Sequence, residues 1–287
     1  MPTEAGHSGD NSIYLRNWYK YIVLTLFSGW ALFMTQTIVA TEGTEKLEQN
    51  RLRLYVVFNN VPYQQGLETS WGFACLIEGL DKTILFDTGG NGKILIANMQ
   101  RLGLDVNKID AIVLSHIHGD HTGGLEAVLI HNPAVTVFLP ASFPASFRQE
   151  VKRYGVQIET VSGPRQLLAG VYSTGEMDGS LTEQALVVDT RQGLIVITGC
   201  AHPNVADMAE QAQTYLDKNI YLLMGGFHLG SKSNKEILSI ISRLKALGVR
   251  KVAPSHCTGD KAIQLFRKIW ADDFIEGGLG AIIEVPR

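Results

Sequence analysis

Seven consecutive residues, Ser-His-Ile-His-Gly-Asp-His at 115–121, hold most of the chemistry this sequence advertises. His116, His118, Asp120 and His121 offer four coordinating side chains within six positions. A single tetrahedral zinc rarely takes all its ligands from one short loop. The spacing instead lets His116 and His118 face one metal while Asp120 and His121 face a second. Imidazole nitrogen suits zinc, iron and other first-row metals, and a carboxylate adds negative charge. The expected complement is one or two divalent ions, zinc first, with iron and manganese as alternatives. A metal pair lowers the pKa of a bound water and polarises a substrate oxygen, which suits attack on an electrophilic carbon or phosphorus.

The elements around this stretch must place it. The apolar run AIVLSH (111–116) reads as a buried strand, and TGGLEAVL begins a helix. Gly119, Gly123 and Gly124 suit a tight backbone path. Three other histidines also follow apolar strands: His202 after GLIVITG, His228 after IYLLMGG and His256 after KVAPS. A lone histidine in such a place is usually a hydrogen-bonded structural group. The 115–121 cluster in the same chain turns the balance toward ligands for His202 and His256. His228, in a Gly-flanked loop, can be read as a ligand, a proton donor or a grip on an anionic group. His7 and His131 fall in a tail and in a loop HNP and read as bystanders. Further strand-length runs are 52–58, 73–79, 83–89, 134–140, 185–190 and 281–285. Residues 204–216, 234–247 and 259–270 show helical periodicity. DTRQG at 189–193 reads as a hairpin turn between two strands. Strands mixed with helices imply layered α/β packing that is not purely parallel.

Composition narrows the class. The 287 residues carry 25 Lys+Arg against 28 Asp+Glu, a net charge of −3, with 45% hydrophobic residues and three cysteines. That excludes a disordered chain and a disulfide scaffold. With no basic run, it also argues against a nucleic-acid partner and for a small-molecule substrate. Residues 21–40 are uncharged over twenty positions and follow Arg16 and Lys20, as a signal peptide or membrane anchor does. The expected organisation is a tail at 1–20, this apolar segment at 21–40, and one domain at 41–287. The leading positive charges predict a domain outside the cytoplasm, periplasmic, extracellular or membrane-anchored.

The H-x-H-x-D-H pattern, with LFDTG at 85–89, resembles the metallo-β-lactamase superfamily, and the likeness covers nearly all of residues 50–287. T-G-C-A-H-P (198–203), G-G-F-H-L (225–229) and P-S-H-C-T-G (254–259) resemble one branch. That branch is similar to 7,8-dihydropterin-6-methyl-4-(β-D-ribofuranosyl)aminobenzene-5′-phosphate synthase. The resemblance implies a four-layer αβ/βα sandwich with metals at the mouth between two sheets. It implies that His202 completes a first site with His116 and His118, and that His256 joins Asp120 and His121 at a second. Where relatives place a bridging aspartate this chain has Cys200. Two roles stand for Cys200: a thiolate ligand, softer than carboxylate and oxidisable, or a small buried residue. Glu183 stands near a histidine that relatives carry and is a weak candidate for a ligand. Asp87 is expected to hydrogen-bond the metal loop rather than touch metal. Cys75 is expected in the core and Cys257 to pack beside His256.

The implied activity is metal-dependent hydrolysis of an ester, lactone, amide or phosphoester. Asp120 would orient the water and accept its proton, and His228 would protonate the leaving group. The alternatives are a transferase or synthase acting on a pterin-precursor-like phosphate, and a non-enzymatic metal-containing binding protein. Loops 59–70 and 141–150 are expected over the mouth.

Overall fold

The computed structural model describes residues 51–286. The tail at 1–20, the apolar segment at 21–40 and the first ten residues of the expected domain lie outside them. Among the described residues no helix is long and apolar enough to cross a membrane.

Among the described residues thirteen strands build two sheets. The first half of the chain supplies β1 (Arg51–Asn59), β2 (Phe73–Glu78), β3 (Ile84–Phe86), β4 (Ala111–Val113), β5 (Thr136–Pro140) and β6 (Gln157–Val161). The second half supplies β7 (Arg165–Leu168), β8 (Val171–Ser173), β9 (Leu186–Thr190), β10 (Gly193–Thr198), β11 (Ile220–Gly226) and β12 (Lys251–Ser255). The last strand, β13 (Ile282–Pro286), returns to the first sheet, whose order is β13-β1-β2-β3-β4-β5-β6. The second sheet runs β12-β11-β10-β9-β8-β7.

Side-chain alternation makes layers of these sheets. Leu54, Val56, Cys75, Ile77, Phe86 and Val113 of the first sheet share one buried cluster with Ile195, Ile197, Leu222 and Met224 of the second. That cluster is the apolar filling between the sheets. On the outer face of the first sheet, Val57, Leu85, Ile112 and Val137 pack on α1 (Gly92–Arg101) and α3 (Leu125–His131). On the outer face of the second, Val196 and Leu223 pack on α5 (Val205–Leu216), α6 (Asn234–Ala246) and α7 (Asp260–Trp270). Helix, sheet, sheet, helix is the expected four-layer order.

The strand runs rich in Val, Ile and Leu form where expected, with trimmed ends: 83–89 narrows to Ile84–Phe86 and 111–116 to Ala111–Val113. The hairpin at 189–193 is present, with Thr190 opposite Gly193 across an antiparallel pair. The expectation of a loop at 141–150 is corrected, because α4 (Ala145–Lys152) occupies most of it. His131 ends α3 rather than sitting in a loop, and its ring bonds to the Ala127 carbonyl.

What matters for the site is direction. β3, β4 and β5 run parallel to one another, as do β10, β11 and β12. The segments that leave the carboxyl ends of β3, β4, β10, β11 and β12 carry Asp87, the 115–121 loop, His202, His228 and His256 respectively.

Candidate metal centre

The histidines and Asp120 meet as two adjoining clusters. The coordinating atoms of His116, His118 and His202 lie within 4.8 Å of one another, and so do those of Asp120, His121, Cys200 and His256. This is the division expected from the spacing. The predicted site residues His116, His118, Asp120, His121, His202 and His256 are all brought together. A third grouping joins Cys200, His202 and His228, so His228 also stands at the mouth.

One carboxylate sets the imidazoles. Asp87 is fully buried, and its Oδ1 accepts the Ser115 backbone N–H at 2.7 Å. Its Oδ2 accepts the Ser115 hydroxyl at 2.7 Å and faces His121 Nδ1 at 2.7 Å. The Ser115 proton is thereby committed to Asp87, so Ser115 Oγ accepts from His116 Nδ1–H at 2.9 Å. Both rings then carry their proton on Nδ1 and present a bare Nε2 lone pair to the pocket. Asn60 does the same for His256, taking Nδ1–H on its Oδ1 at 2.7 Å. Ser180 Oγ stands 3.2 Å from His202 Nδ1. These contacts fix ring orientation and tautomer, as polar neighbours of metal ligands do.

Two Nε2 atoms at the site have nothing to bond. His202 Nε2 and His256 Nε2 are buried without a hydrogen-bond partner. His256 Nε2 faces Asp120 Oδ2 at 3.3 Å, and His121 Nε2 faces the same oxygen at 3.5 Å. His116 Nε2 lies 3.2 Å from His118 Nδ1. A bare imidazole nitrogen against a carboxylate oxygen is repulsive unless a proton or a metal cation sits between them. Two ligands on a tetrahedral ion at bond lengths of about 2.0–2.1 Å lie about 3.3 Å apart, which matches these spacings. The donor sets therefore fit metal ions at both clusters.

Electrostatics point the same way. Burial holds His116 well below the ordinary imidazole range, and the like charges of His121, His202 and His118 add to the effect. Burial, then His228 and His118, lower His202 to about 4. Such rings stay neutral and available for coordination. His121 is opposed by burial, but Asp87 and Asp120 outweigh it and lift the ring to about 10. The carboxylates that would draw a proton onto Nε2 also draw a cation. Asp120 itself is held far below the carboxylate range, against burial, by His121 and His256.

Glu183 is not turned toward either cluster as a ligand. Its Oε1 accepts the backbone N–H groups of Gly199, Cys200 and Ala201 at 2.9–3.1 Å, and its Oε2 accepts that of His202 at 2.9 Å. It anchors the loop that carries Cys200 and His202. Cys75 is buried in the core between the sheets, as expected. Asn60, Ser115, Ser180 and Trp71 escaped sequence reasoning. Ser115 had a signal, as the first residue of the 115–121 motif, and Asn60 a fainter one, as the second residue of the loop expected over the mouth. Trp71 is exposed, and its ring centroid is 4.9 Å from that of His256.

Backbone strain concentrates here. Asp87, Ala201, His228 and His256 all hold positive φ, between 51° and 60°. Residues without a glycine's freedom pay for that conformation, and such outliers gather where geometry serves function. Gly123 and Gly124 are needed for space, since a Cβ would lie 2.6 Å from the Gly119 carbonyl oxygen and 2.1 Å from that of Thr88 respectively. Gly119 meets nothing within 4 Å and is not required on that ground.

Comparison with known proteins agrees with this geometry. The family model of the metallo-beta-lactamase superfamily matches residues 72–206. The chain is 30% identical over 271 residues to 7,8-dihydropterin-6-methyl-4-(beta-D-ribofuranosyl)-aminobenzene-5'-phosphate synthase of Methanocaldococcus jannaschii, covering 77% of this chain and 92% of the relative. Among solved structures it is similar to Tm1679, described as a metal-dependent hydrolase of the beta-lactamase superfamily. That match has 27% identity and a TM-score of 0.69, and covers 82% of this chain and all of the other. The metallo-beta-lactamase fold protein YhfI of Bacillus subtilis shares the fold at 14% identity and a TM-score of 0.63, covering 82% of this chain and all of the other. The two donor clusters at the strand ends, the layered sheets and a relative matched over nine-tenths of its length lead to one conclusion: this chain belongs to the metallo-beta-lactamase superfamily.

Proposed function

We propose that the protein is a metal-dependent hydrolase of small molecules bearing an ester, lactone or phosphoester bond. The carrying observation is the pair of adjoining donor clusters with buried, unpartnered Nε2 atoms at His202 and His256. His116, His118 and His202 would hold one divalent ion, and Asp120, His121 and His256 a second. When bound, such a pair supplies a lowered water pKa and a positive field for the substrate oxygen.

This chain's residues do the rest. Asp120 faces His256 and His121 of its own cluster and is only partly buried, so its carboxylate is placed to orient the attacking water and receive its proton. His228 stands on the opposite flank, its ring centroid 4.5 Å from that of His202 and its surface open to solvent. Its hydrogen bond to Cys257 raises its pKa against the pull of burial. An exposed imidazole with its pKa raised is suited to hand a proton to a leaving group. Trp71 offers an apolar wall beside His256 for the non-reacting part of the substrate.

The test is turnover of phosphodiester, lactone and β-lactam substrates by the metal-replete full chain. Hydrolysis that disappears in His118→Ala is expected. Absence of bound metal, or equal turnover by the variant, overturns the reading. His228→Ala should lower kcat by about 10²- to 10⁴-fold, the usual contribution of a positioned proton donor, with little change in KM. The second reading, a synthase of pterin-precursor phosphates, is favoured by the likeness to the Methanocaldococcus synthase over 92% of its length. Formation of that relative's named product by this chain, without hydrolysis of the panel, would establish it instead. We also propose that residues 21–40 carry the domain out of the cytoplasm. Fractionation that leaves the full chain in the cytoplasm would refute this and favour the synthase.

A further inference from the structure

Two of the three cysteines meet at the mouth from different strands. Cys200 follows the carboxyl end of β10 and Cys257 that of β12, and β11 runs between them. Residues two strands apart in a sheet normally stand about 9.5 Å from each other. Gly226, the last residue of β11, lets these two approach. A Cβ there would lie 2.8 Å from Cys257 Sγ and 2.3 Å from the Gly199 carbonyl oxygen. With no side chain in the way, the Cys257 thiol passes over Gly226 and donates to the Cys200 carbonyl oxygen at 3.7 Å. The two thiols are also hydrogen-bonded to each other. Cys75, by contrast, is sealed in the core between the sheets.

We propose that this pair is a redox switch, in which a peroxide joins Cys200 and Cys257 in a disulfide that disables the metal centre. The effect on metal rests on the metal-centre reading above, and the bond itself does not. Cys257 is half-buried while Cys200 is almost wholly buried, so the oxidant meets Cys257 first. Its sulfur attacks one peroxide oxygen, the O–O bond breaks, and a sulfenic acid and a water form. The Cys200 sulfur then displaces that oxygen as a second water, and the S–S bond forms. Two electrons pass from the two sulfurs to the peroxide, and both thiol protons leave in the water. A domain carried out of the cytoplasm would meet such oxidants without the thiol buffers that keep cytosolic cysteines reduced.

The consequence for the site is positional. Cys200 shares its loop with His202, and Cys257 is next to His256. A covalent bond holds two sulfurs closer than a hydrogen bond does, so closure must shift one loop or both. His202 and His256 belong to different clusters, and each presents a buried, unpartnered Nε2. Metal sites hold their ligand distances to within about 0.2 Å. Closure therefore weakens binding at one cluster or both.

The full chain, stripped of metal by a chelator, tests this after treatment with hydrogen peroxide and removal of the excess by catalase. Digestion under alkylating conditions should yield a linked peptide pair containing Cys200 and Cys257, with Cys75 alkylated. Zinc affinity, measured against a chromophoric chelator, should fall by about 10-fold or more, as when a ligand loses its supporting contact. Reduction with a phosphine should restore it. Cys257→Ser, compared with itself before peroxide, should form no linked pair and keep its affinity. A wild type without the linked pair overturns the switch. So does a linked chain with undiminished zinc affinity, or an equal loss in Cys257→Ser. A folded, reduced wild type that binds no zinc overturns the metal-centre reading and the effect of the switch together, while the peptide map still decides whether the bond forms.

Discussion

At the scale of single residues, Asp87 commands more of the site than any ligand does. Through Ser115 it sets the tautomer of His116, and directly it sets that of His121, one imidazole in each cluster. Asp87→Ala removes the acceptor for both chains of contact. We expect metal affinity to fall by about 10- to 100-fold, the usual loss when a ligand's hydrogen-bond partner is removed. A competitive titration against a chromophoric chelator would measure it, and unchanged affinity at both sites would refute the role. The candidate ligands were legible in the sequence because four of them crowd into 115–121 and the others follow apolar strands. Asp87 was legible as a loop-binding carboxylate. Asn60 and Ser180 were not, since each meets its histidine across 196 and 22 residues of chain. A short polar side chain carries no periodicity that would announce such a partner.

At the scale of elements, legibility follows burial. Strands such as β10 and β11, almost wholly buried, read as unbroken Val, Ile and Leu runs. β6, with sequence QIETV, is largely exposed and β7, RQLL, half-buried, and both went unread because half-solvated short strands look like loops. The junction after β10 is among the tight places of the fold. A Cβ on Gly199 would stand 2.1 Å from Ser115 Oγ and 2.9 Å from Asp87 Oδ2. Gly199→Ala must therefore displace the contacts that hold both metal clusters. Overpacking of this kind costs about 1–3 kcal/mol, and we expect a lower denaturant midpoint together with weaker metal binding. The N-terminus of α6 is the matching control. Ser233 and Glu236 form a capping box there, far along the chain from any ligand. Ser233→Ala should cost about 1 kcal/mol in chemical denaturation and leave metal content unchanged.

At the scale of the whole molecule, metal binding and folding share the same protons. In the metal-free protein, buried His116 and His202 are held below the imidazole value of 6.5, His202 at about 4. The unfolded chain then binds more protons than the folded one from about pH 6.5 downward, so stability falls as pH falls through that window. His121, lifted to about 10, has the opposite sign. Its contribution is complete below about pH 6.5 and fades as pH rises toward 10. A cation on Nε2 replaces that proton and removes the alkaline loss. The gap in Tm between metal-loaded and chelated protein should therefore widen from pH 6 toward pH 9, as scanning fluorimetry with and without chelator would show. A gap that shrinks over this range contradicts the assignment. Glu183 supplies a last consequence. Four successive amide groups, from Gly199 to His202, converge on its carboxylate, which makes it a built-in guest in a receptor for small acids. Glu183→Gly would vacate that receptor and loosen the loop. Formate or acetate added to the buffer should then restore metal binding in a saturable way, complementing the missing side chain from solution.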